Sequence, residues 1–407
     1  MFNVNNPTSS NLLVYVNTFI ATIILICSAV CFTRFRLNYR KIKKATSEKN
    51  SAYFDEKFFF KTCFKEDNPV LIANIGVEKV QFAIIKTAKK CPKRLKPAVI
   101  LERKSSITKS IVNAVNEAIV YAKKKYGLTP KKACFSVAGM VSKKRNLCEN
   151  KNLPWTIDVR KILNKTKLET ATLINDFEAQ AYGIQAVSEE KLVCINKGKK
   201  RKSSSNKVVV GAGSGLGKSL IIQDPISLNR TVVATEAGHA AFPPENETEL
   251  CLVKFIKKLL KVNHQITWED LVSSKGIERI YKFLAKTNNT KSKKPQPEKL
   301  TNYTSSWIIK NYNSNNLCKK TVDMFLSFYG RCIKNFVLGA LTKGGVYISG
   351  GIVRDNISLL KNKIFFNEFT NDKNYKSLLK DVPIHVVKDK YTKLYGAAIW
   401  SSKALLV

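Results

Sequence analysis

Hydrophobic positions recur in two rhythms along this chain. Short apolar runs closed by glycine, asparagine or aspartate predict strands, and apolar residues three and four apart predict helices. Val70 to Lys86 (VLIANIGVEKVQFAIIK) reads as strand, tight turn and strand, with apolar runs bracketing Asn74-Ile75-Gly76. Ser110 to Lys125 carries Ile111, Val112, Val115, Ile119 and Val120 at helical spacing and closes on basic residues, as a helix C-terminus favours. Ala133 to Ala138 is a short strand leading to Gly139; Leu173-Ile174 ends another, which breaks at Asn175-Asp176 into a helix over Glu178 to Ile184. Val208-Val209-Val210 runs as a strand into Gly211-Ala212-Gly213-Ser214-Gly215-Leu216-Gly217, and Ser219 to Ile222 continues as a strand. Helices are predicted over Thr248 to Leu260, Ile266 to Leu284 and Lys319 to Leu341. Val346 to Ser349 is a strand ending in Gly350-Gly351, and Ile384 to Val387 with Leu394 to Ser401 is strand plus helix. Lys197 to Lys207 reads as a solvated linker and Thr287 to Pro297 as a surface insertion. Strands alternating with helices, with glycine turns at strand ends, predict α/β layers, which bind ligands at the carboxyl ends of their strands.

One run breaks this pattern. Leu12 to Phe32 holds about twenty apolar or weakly polar residues without a charge, enough at ~1.5 Å per residue to span a bilayer core. No Lys or Arg precedes it, while Arg34, Arg36, Arg40, Lys41, Lys43 and Lys44 follow. A cleaved signal peptide, the competing reading, would carry its positive charge in front. The expectation is a short tail over 1–11, a transmembrane anchor over 12–33 and a basic tether over 34–67, with the body facing the cytosol by the positive-inside rule.

The 407 residues allow two domains, and a hydrophobic content of 44% supports a buried core. The formal net charge of +40 is extreme and raises the question of nucleic acid or anionic lipid. Lys far outnumbers Arg and is spread with Asn along nearly the whole chain. There is no RNA-binding aromatic signature or helix-turn-helix spacing. Compositional drift explains the charge better than a dedicated nucleic-acid surface. The ten cysteines form no C-x-x-C pair and no Cys/His metal rhythm, so they read as reduced thiols of a cytosolic body. Triplets such as Asn164-Lys165-Thr166 arise by chance in so Asn-rich a chain.

Three segments within about sixty-five residues carry candidate chemistry. In Ile174-Asn175-Asp176-Phe177, Asp176 has the character of a general base that takes a proton from a hydroxyl, or else Asn-Asp simply caps the following helix. Gly211, Gly213, Gly215 and Gly217 permit close backbone approach to phosphates and left-handed backbone, with Ser214 adding a donor; plain hairpin glycines are the alternative. No Walker spacing exists, since Gly217-Lys218-Ser219 lacks its upstream glycine. Glu236 and His239, with Glu269 further on, suit the vicinal hydroxyls of a polyol. With three histidines in the chain, a zinc site is not expected there.

Together these segments resemble the bacterial-type glucokinases, sugar kinases of the actin-like ATPase (hexokinase, ribonuclease H-like) fold. Residues 70–84 match the first phosphate loop; Phe135-Ser136-Val137-Ala138-Gly139 and Asn152-Leu153-Pro154-Trp155 match the stretch before the sugar site. Ile174-Asn175-Asp176-Phe177 matches the catalytic segment, 211–217 the second phosphate loop, and Gly345 to Gly351 (GVYISGG) the adenosine motif. The resemblance covers roughly 68–402. It implies a small α/β lobe over 68–186, completed by 388–405, and a large α/β lobe over 187–387. It further implies ATP-dependent phosphorylation of glucose, or a related hexose, at the 6-hydroxyl, the first step of glycolysis. Asp176 would be the base, and Asn175, Asp176, Glu236, His239 and Glu269 would bind the sugar. Asn74, Gly76, Gly211, Gly213, Ser214, Gly215, Gly350 and Gly351 would line the nucleotide site. ATP and Mg2+ are the implied cofactors, no residue is assigned as a direct metal ligand, and a homodimer is one expectation because some family members dimerise.

The family's first loop reads Asp-x-Gly-Gly-Thr-Asn-x-Arg, whereas this chain has Asn74-Ile75-Gly76-Val77-Glu78-Lys79-Val80-Gln81. Asn74 stands for the carboxylate that helps hold magnesium, Val77 for a glycine and Glu78 for a hydroxyl. Met140 for a proline and Ala237 for a glycine are smaller departures. A catalytically impaired sugar-binding pseudokinase, acting as sensor or scaffold, is the alternative these changes raise.

Overall fold

A computed structural model describes residues 69–85, 98–150, 153–199, 205–224, 226–227, 229–289 and 303–404. The segments expected to form tail, anchor and tether (1–11, 12–33, 34–67) lie outside the described residues, as do the middle of the 197–207 linker and most of the 287–297 insertion. Among the described residues no helix is long and apolar enough to cross a membrane.

Fourteen strands are described: β1 Val70–Ile75, β2 Lys79–Ile85, β3 Ala98–Lys104, β4 Lys132–Val137, β5 Met140–Val141, β6 Leu147–Glu149, β7 Ile157–Asp158, β8 Thr170–Asn175, β9 Leu192–Asn196, β10 Lys207–Ala212, β11 Leu216–Gln223, β12 Arg230–Thr235, β13 Val346–Ser349 and β14 Ile384–Val387. The helices of eight residues or more are α1 Ile111–Tyr126, α2 Asp176–Ile184, α3 Glu247–Leu260, α4 Ser274–Asn289, α5 Asn316–Ala340, α6 Lys363–Thr370 and α7 Thr392–Ala404.

One sheet has the order β3-β2-β1-β4-β8 and a second the order β12-β11-β10-β13-β14-β9; β5, β6 and β7 form a small third sheet. In each large sheet the first three strands form an antiparallel meander and the chain then crosses over in parallel: β1, β4 and β8 in one, β10, β13 and β14 in the other. The repeat is legible in composition. Strands β1 and β10 are nearly continuous apolar runs, as both-face burial requires. Leu71, Ala73 and Ile75 pack with α1, while Val70 and Ile72 pack with α2 and α7. Val209, Ile221 and Val232 of the second sheet join that same α2/α7 cluster from the other side. The opposite face of the second sheet is filled by the α5-centred core, where Phe325, Phe328 and Tyr329 are almost fully buried.

Helices α2 and α7 meet backbone to backbone. A Cβ on Gly183 would fall on the Thr392 carbonyl, and one on Gly396 on the Ala179 carbonyl. Small residues at such a crossing let two axes approach more closely than larger side chains permit. Both N-termini are thereby brought to the edge where β1, β4 and β8 end.

Two expectations need correction. The predicted helix over Ile266 to Leu284 is broken. The Ile266 carbonyl accepts from the Phe242 amide, Thr267 is extended and faces Ala241 in an isolated antiparallel bridge, Trp268–Leu271 makes one turn, and α4 starts only at Ser274. The cause is local: Thr267 and Asp270 form a capping box, and the Ser273 hydroxyl accepts from the Gly276 amide, so each short side chain starts a new helix. Strands β3, β9 and β12 were not predicted from the pattern; each carries polar residues among its apolar ones.

Candidate active site

Asp176 is the first residue of α2, directly after β8. The two readings of Asn-Asp divide between the two residues. Asn175 is the cap: its Oδ1 accepts from the amides of Phe177 (2.9 Å) and Glu178 (3.1 Å), and its Nδ2 donates to the Gly139 carbonyl (3.0 Å). One amide hydrogen of Asn175 remains for a ligand. Asp176 is left uncommitted to the backbone; its Oδ2 lies 2.5 Å from the Lys393 ammonium at the start of α7.

Three contacts fix the helix that carries Asp176. Glu178, buried, accepts two hydrogen bonds of 3.0 Å from the Arg145 guanidinium. That guanidinium lies 4.1 Å from the Trp400 ring centroid, and the Ser219 hydroxyl donates to the Phe177 carbonyl at 2.8 Å. A bidentate Arg–carboxylate pair sets direction as well as distance. None of Arg145, Ser219, Trp400 or Lys393 was found from sequence, because no local spacing links them to Asp176.

Glu236 starts the turn Ala237–His239, whose Gly238 sits against the Leu216 carbonyl so closely that no Cβ would fit. Glu269 Oε2 accepts from the Leu216 amide at 2.8 Å and lies against Gly215. Backbone bonds from Trp268 to Ala240 (2.9 Å) and from Phe242 to Ile266 (2.8 Å) tie the two segments together. The Glu236 carboxyl is pushed above its usual range, first by desolvation; His239 opposes the rise, while the Asp176 and Glu269 charges add to it. Gly238, Glu269 and Phe177 all pack on the 211–217 loop, so the segments that carry Asp176, Glu236, His239 and Glu269 converge there. Cys148 borders this region. Its thiol is pushed up to about 11 by burial and then by Asp176, Glu149 and Glu236, so it is a protonated wall rather than a nucleophile.

The glycine loop joins β10 to β11, with Gly211 opposite Gly217. The expectation of left-handed backbone there is corrected: none of Gly211, Gly213, Gly215 and Gly217 has positive φ. Gly211 and Gly217 are required for packing, because atoms of the Phe177 ring, and at Gly211 the Ser349 hydroxyl, stand where a Cβ would lie. Gly211 is buried, while Gly213 has open space where a side chain would be and Ser214 is exposed. The exposed tip 213–215 is therefore the part a phosphate can approach. Gly350, at φ 97°, lies so close to the Ala212 carbonyl that a Cβ is excluded, which seats Gly350-Gly351 beside the loop.

Asn74, one residue before the end of β1, is in register with Ser136 of β4, and Gly76 opens the turn to β2, its amide bonded to the Lys79 carbonyl at 3.0 Å. Val77 has no left-handed backbone and packs, partly buried, against the first-sheet core. Glu78 is exposed. Lys79 donates to Glu102 (2.9 Å), Gln81 Nε2 donates to Glu102 (2.7 Å), and Asn74 Nδ2 donates to Gln81 Oε1 (3.2 Å). The Asn74 Oδ1 atom and the Ser136 hydroxyl are buried without a hydrogen-bond partner.

Comparison with known proteins identifies the family and the fold. A family model described as Glucokinase matches residues 71–404. A glucokinase from Trichormus variabilis is 30% identical over 288 residues, covering 67% of this chain and 82% of the relative. One from Campylobacter jejuni subsp. doylei is 30% identical over 347 residues, covering 82% and 94%. Among solved structures, the glucokinase of Balamuthia mandrillaris in complex with glucose superposes with a TM-score of 0.68 at 20% identity, covering 86% of this chain and 97% of that one. A ROK family glucokinase from Streptomyces griseus, in complex with glucose and AMPPNP, gives 0.54 at 16% identity, covering 83% and 100%. The α/β sugar-kinase fold and the order of motifs along it lead to one assignment: this chain belongs to the glucokinase family.

Proposed function

We propose that the protein transfers the terminal phosphoryl group of ATP to the 6-hydroxyl of glucose. The observation that carries this reading is the cluster of Asp176, Glu236, His239 and Glu269 beside the open tip of the 213–215 loop. It sets a polyol-binding wall against a phosphate-binding edge. Glu236, His239 and Glu269 accept or donate to the sugar's secondary hydroxyls, and the free N–H of Asn175 reaches another. Asp176 orients the 6-hydroxyl. As the bond from the γ-phosphorus to the ADP oxygen breaks and the bond to the sugar oxygen forms, the hydroxyl proton passes to Asp176 and ADP leaves with the electron pair. Such transfers pass through a loose transition state, so position and charge matter more than base strength.

A magnesium ion bound with the nucleotide would supply positive charge to the transferring phosphoryl group. The orphaned Asn74 Oδ1 fits this group as an acceptor for an ion-bound water, since Mg2+ retains several waters and accepts few protein ligands. No carboxylate is offered at that position, so Asn74 contributes orientation without charge.

The test uses the full-length chain with glucose and Mg-ATP. Glucose-dependent ADP release that an Asp176→Ala change abolishes supports the reading; glucose binding without turnover would establish the pseudokinase instead. We also propose that residues 12–33 anchor the chain with the body in the cytosol. The uncharged run and the basic residues behind it support this, and protection of the body from protease added to the cytosolic side would refute it.

A further inference from the structure

We propose that Lys393 is a second catalytic group of this site, holding Asp176 in place and contacting the phosphoryl group as it is transferred. The inference rests on the sugar-kinase reading above and deepens it.

Two contacts place the ammonium. Its Nζ lies 2.5 Å from Asp176 Oδ2 and 5.1 Å from the centroid of the Phe177 ring. That same ring lies against Gly211 and Gly217, the facing pair one residue inside the strand ends that flank the glycine loop. Lys393 thus stands where the acceptor side, represented by Asp176, meets the nucleotide side, represented by the loop. Its side chain keeps 27% of its surface open and that of Asp176 keeps 13%, so the pair is half-sheltered and still reachable. The backbone contact between α2 and α7 at Gly183 and Gly396 fixes the distance between the two helix starts, so the pairing is built into the fold.

The chemistry of the two groups divides cleanly. A lysine ammonium has three donors, of which Asp176 takes one. Bound at Oδ2, it leaves Oδ1 to receive the sugar hydroxyl, which fixes the direction from which that hydroxyl is presented. The oxygen so presented is the one that gains the phosphoryl group. A hydroxyl within hydrogen-bond reach of Asp176 is therefore close to Lys393, and its new phosphate oxygens come within reach of the remaining donors. Lys393 keeps its proton throughout; the hydroxyl proton goes to Asp176 as before. Fixed positive charge beside the transferred group lowers the barrier because phosphoryl transfer depends on charge stabilisation. The need for it is visible in the same structure, since position 74 supplies a neutral amide and Lys79 is engaged by Glu102.

The experiment compares the full-length chain with Lys393→Met and Lys393→Arg, measuring turnover and, by calorimetry, binding of glucose and of glucose 6-phosphate. The Met variant keeps the side chain's length and its apolar contact with Phe177. Its kcat is expected to fall about 100-fold with glucose affinity within about twofold, and its glucose 6-phosphate affinity to fall about tenfold; Arg restores part of both. Retained glucose binding also reports that the variant folds. Parallel loss of both affinities, or an unchanged kcat, overturns the proposal while leaving the sugar-kinase reading intact. A parent chain that binds neither ligand overturns both. If the Met variant does not fold, Lys393→Gln replaces it, and the same ratio of the two affinities decides.

Discussion

The Asn74 side chain donates to Gln81 Oε1 at 3.2 Å, and this direction is imposed by a third residue. Glu102 accepts only, so Gln81 must present its NH2 to it, at 2.7 Å. Gln81 then offers Asn74 an oxygen, Asn74 must answer with its own NH2, and its carbonyl oxygen is turned away into the buried, partnerless position. The departure from the family's aspartate is therefore coupled to Gln81 and Glu102, and is not an isolated loss.

That coupling predicts the outcome of restoring the acid. Asn74→Asp alone places a carboxylate against Gln81 Oε1 and is expected to cost roughly 1–3 kcal/mol, the range for a buried polar group left without its partner. Adding Glu102→Gln lets Gln81 turn its amide round, and most of the loss should return. Thermal melts of the two single variants and the double variant give the coupling directly. If the costs simply add, the chain of hydrogen bonds does not govern position 74.

Arg145 and Glu178 give a second prediction. Glu178 is buried and Arg145 is partly exposed, so removing the arginine leaves a carboxylate in poor solvent. Arg145→Met should destabilise the protein by about 3 kcal/mol, and turnover should fall because the start of α2 shifts. Glu178→Gln in the same chain removes the stranded charge and should recover part of the stability. Equal stability of parent and Arg145→Met in urea titrations would show the pair to be idle.

The loop glycines separate by position. A Cβ at Gly217 would overlap the Phe177 ring, whereas nothing lies near one at Gly213. Gly217→Ala should cost about 1–3 kcal/mol through overpacking and lower kcat by displacing the residue next to Asp176. Gly213→Ala should leave the melting temperature nearly unchanged and act on the KM for ATP. Similar losses of stability from both would contradict the packing role assigned to Gly217.

These cases show what the chain's pattern could reveal. The central strands β1, β4 and β10 were legible because burial on both faces favours nearly continuous apolar runs, and helices α1, α3 and α5 because a buried face imposes helical spacing. The acceptor cluster was legible as residue types in order. Lys393 and Arg145 were not, since their roles arise from contacts across 217 and 33 residues of sequence. At Gly211 and Gly217 the structure adds a packing role that the glycine pattern alone does not show, because packing against an aromatic ring and approach to a phosphate ask for the same residue. Strand β12 escaped notice because only Val232 of its six residues is buried.

Glu236 makes the site sensitive to acid, and the sign can be worked out. Burial raises its pKa above the usual glutamate range, so the folded state holds this proton more tightly than the unfolded chain does. Its contribution to folding is thus fully present below the unfolded-state value and is lost as pH rises through the folded-state value. Sugar binding runs the other way. The hydroxyls need an ionised acceptor, so affinity should decline as pH falls, beginning at a higher pH than an ordinary glutamate would dictate. Below that point the loss approaches about tenfold per pH unit, the limit for one required ionisation. Glucose titrations at several pH values check this, with Glu236→Gln as control. The Gln variant should bind glucose more weakly near neutrality and lose the raised acid limb. An acid limb unchanged in the variant would assign the titration to another group and remove Glu236 from the sugar contacts.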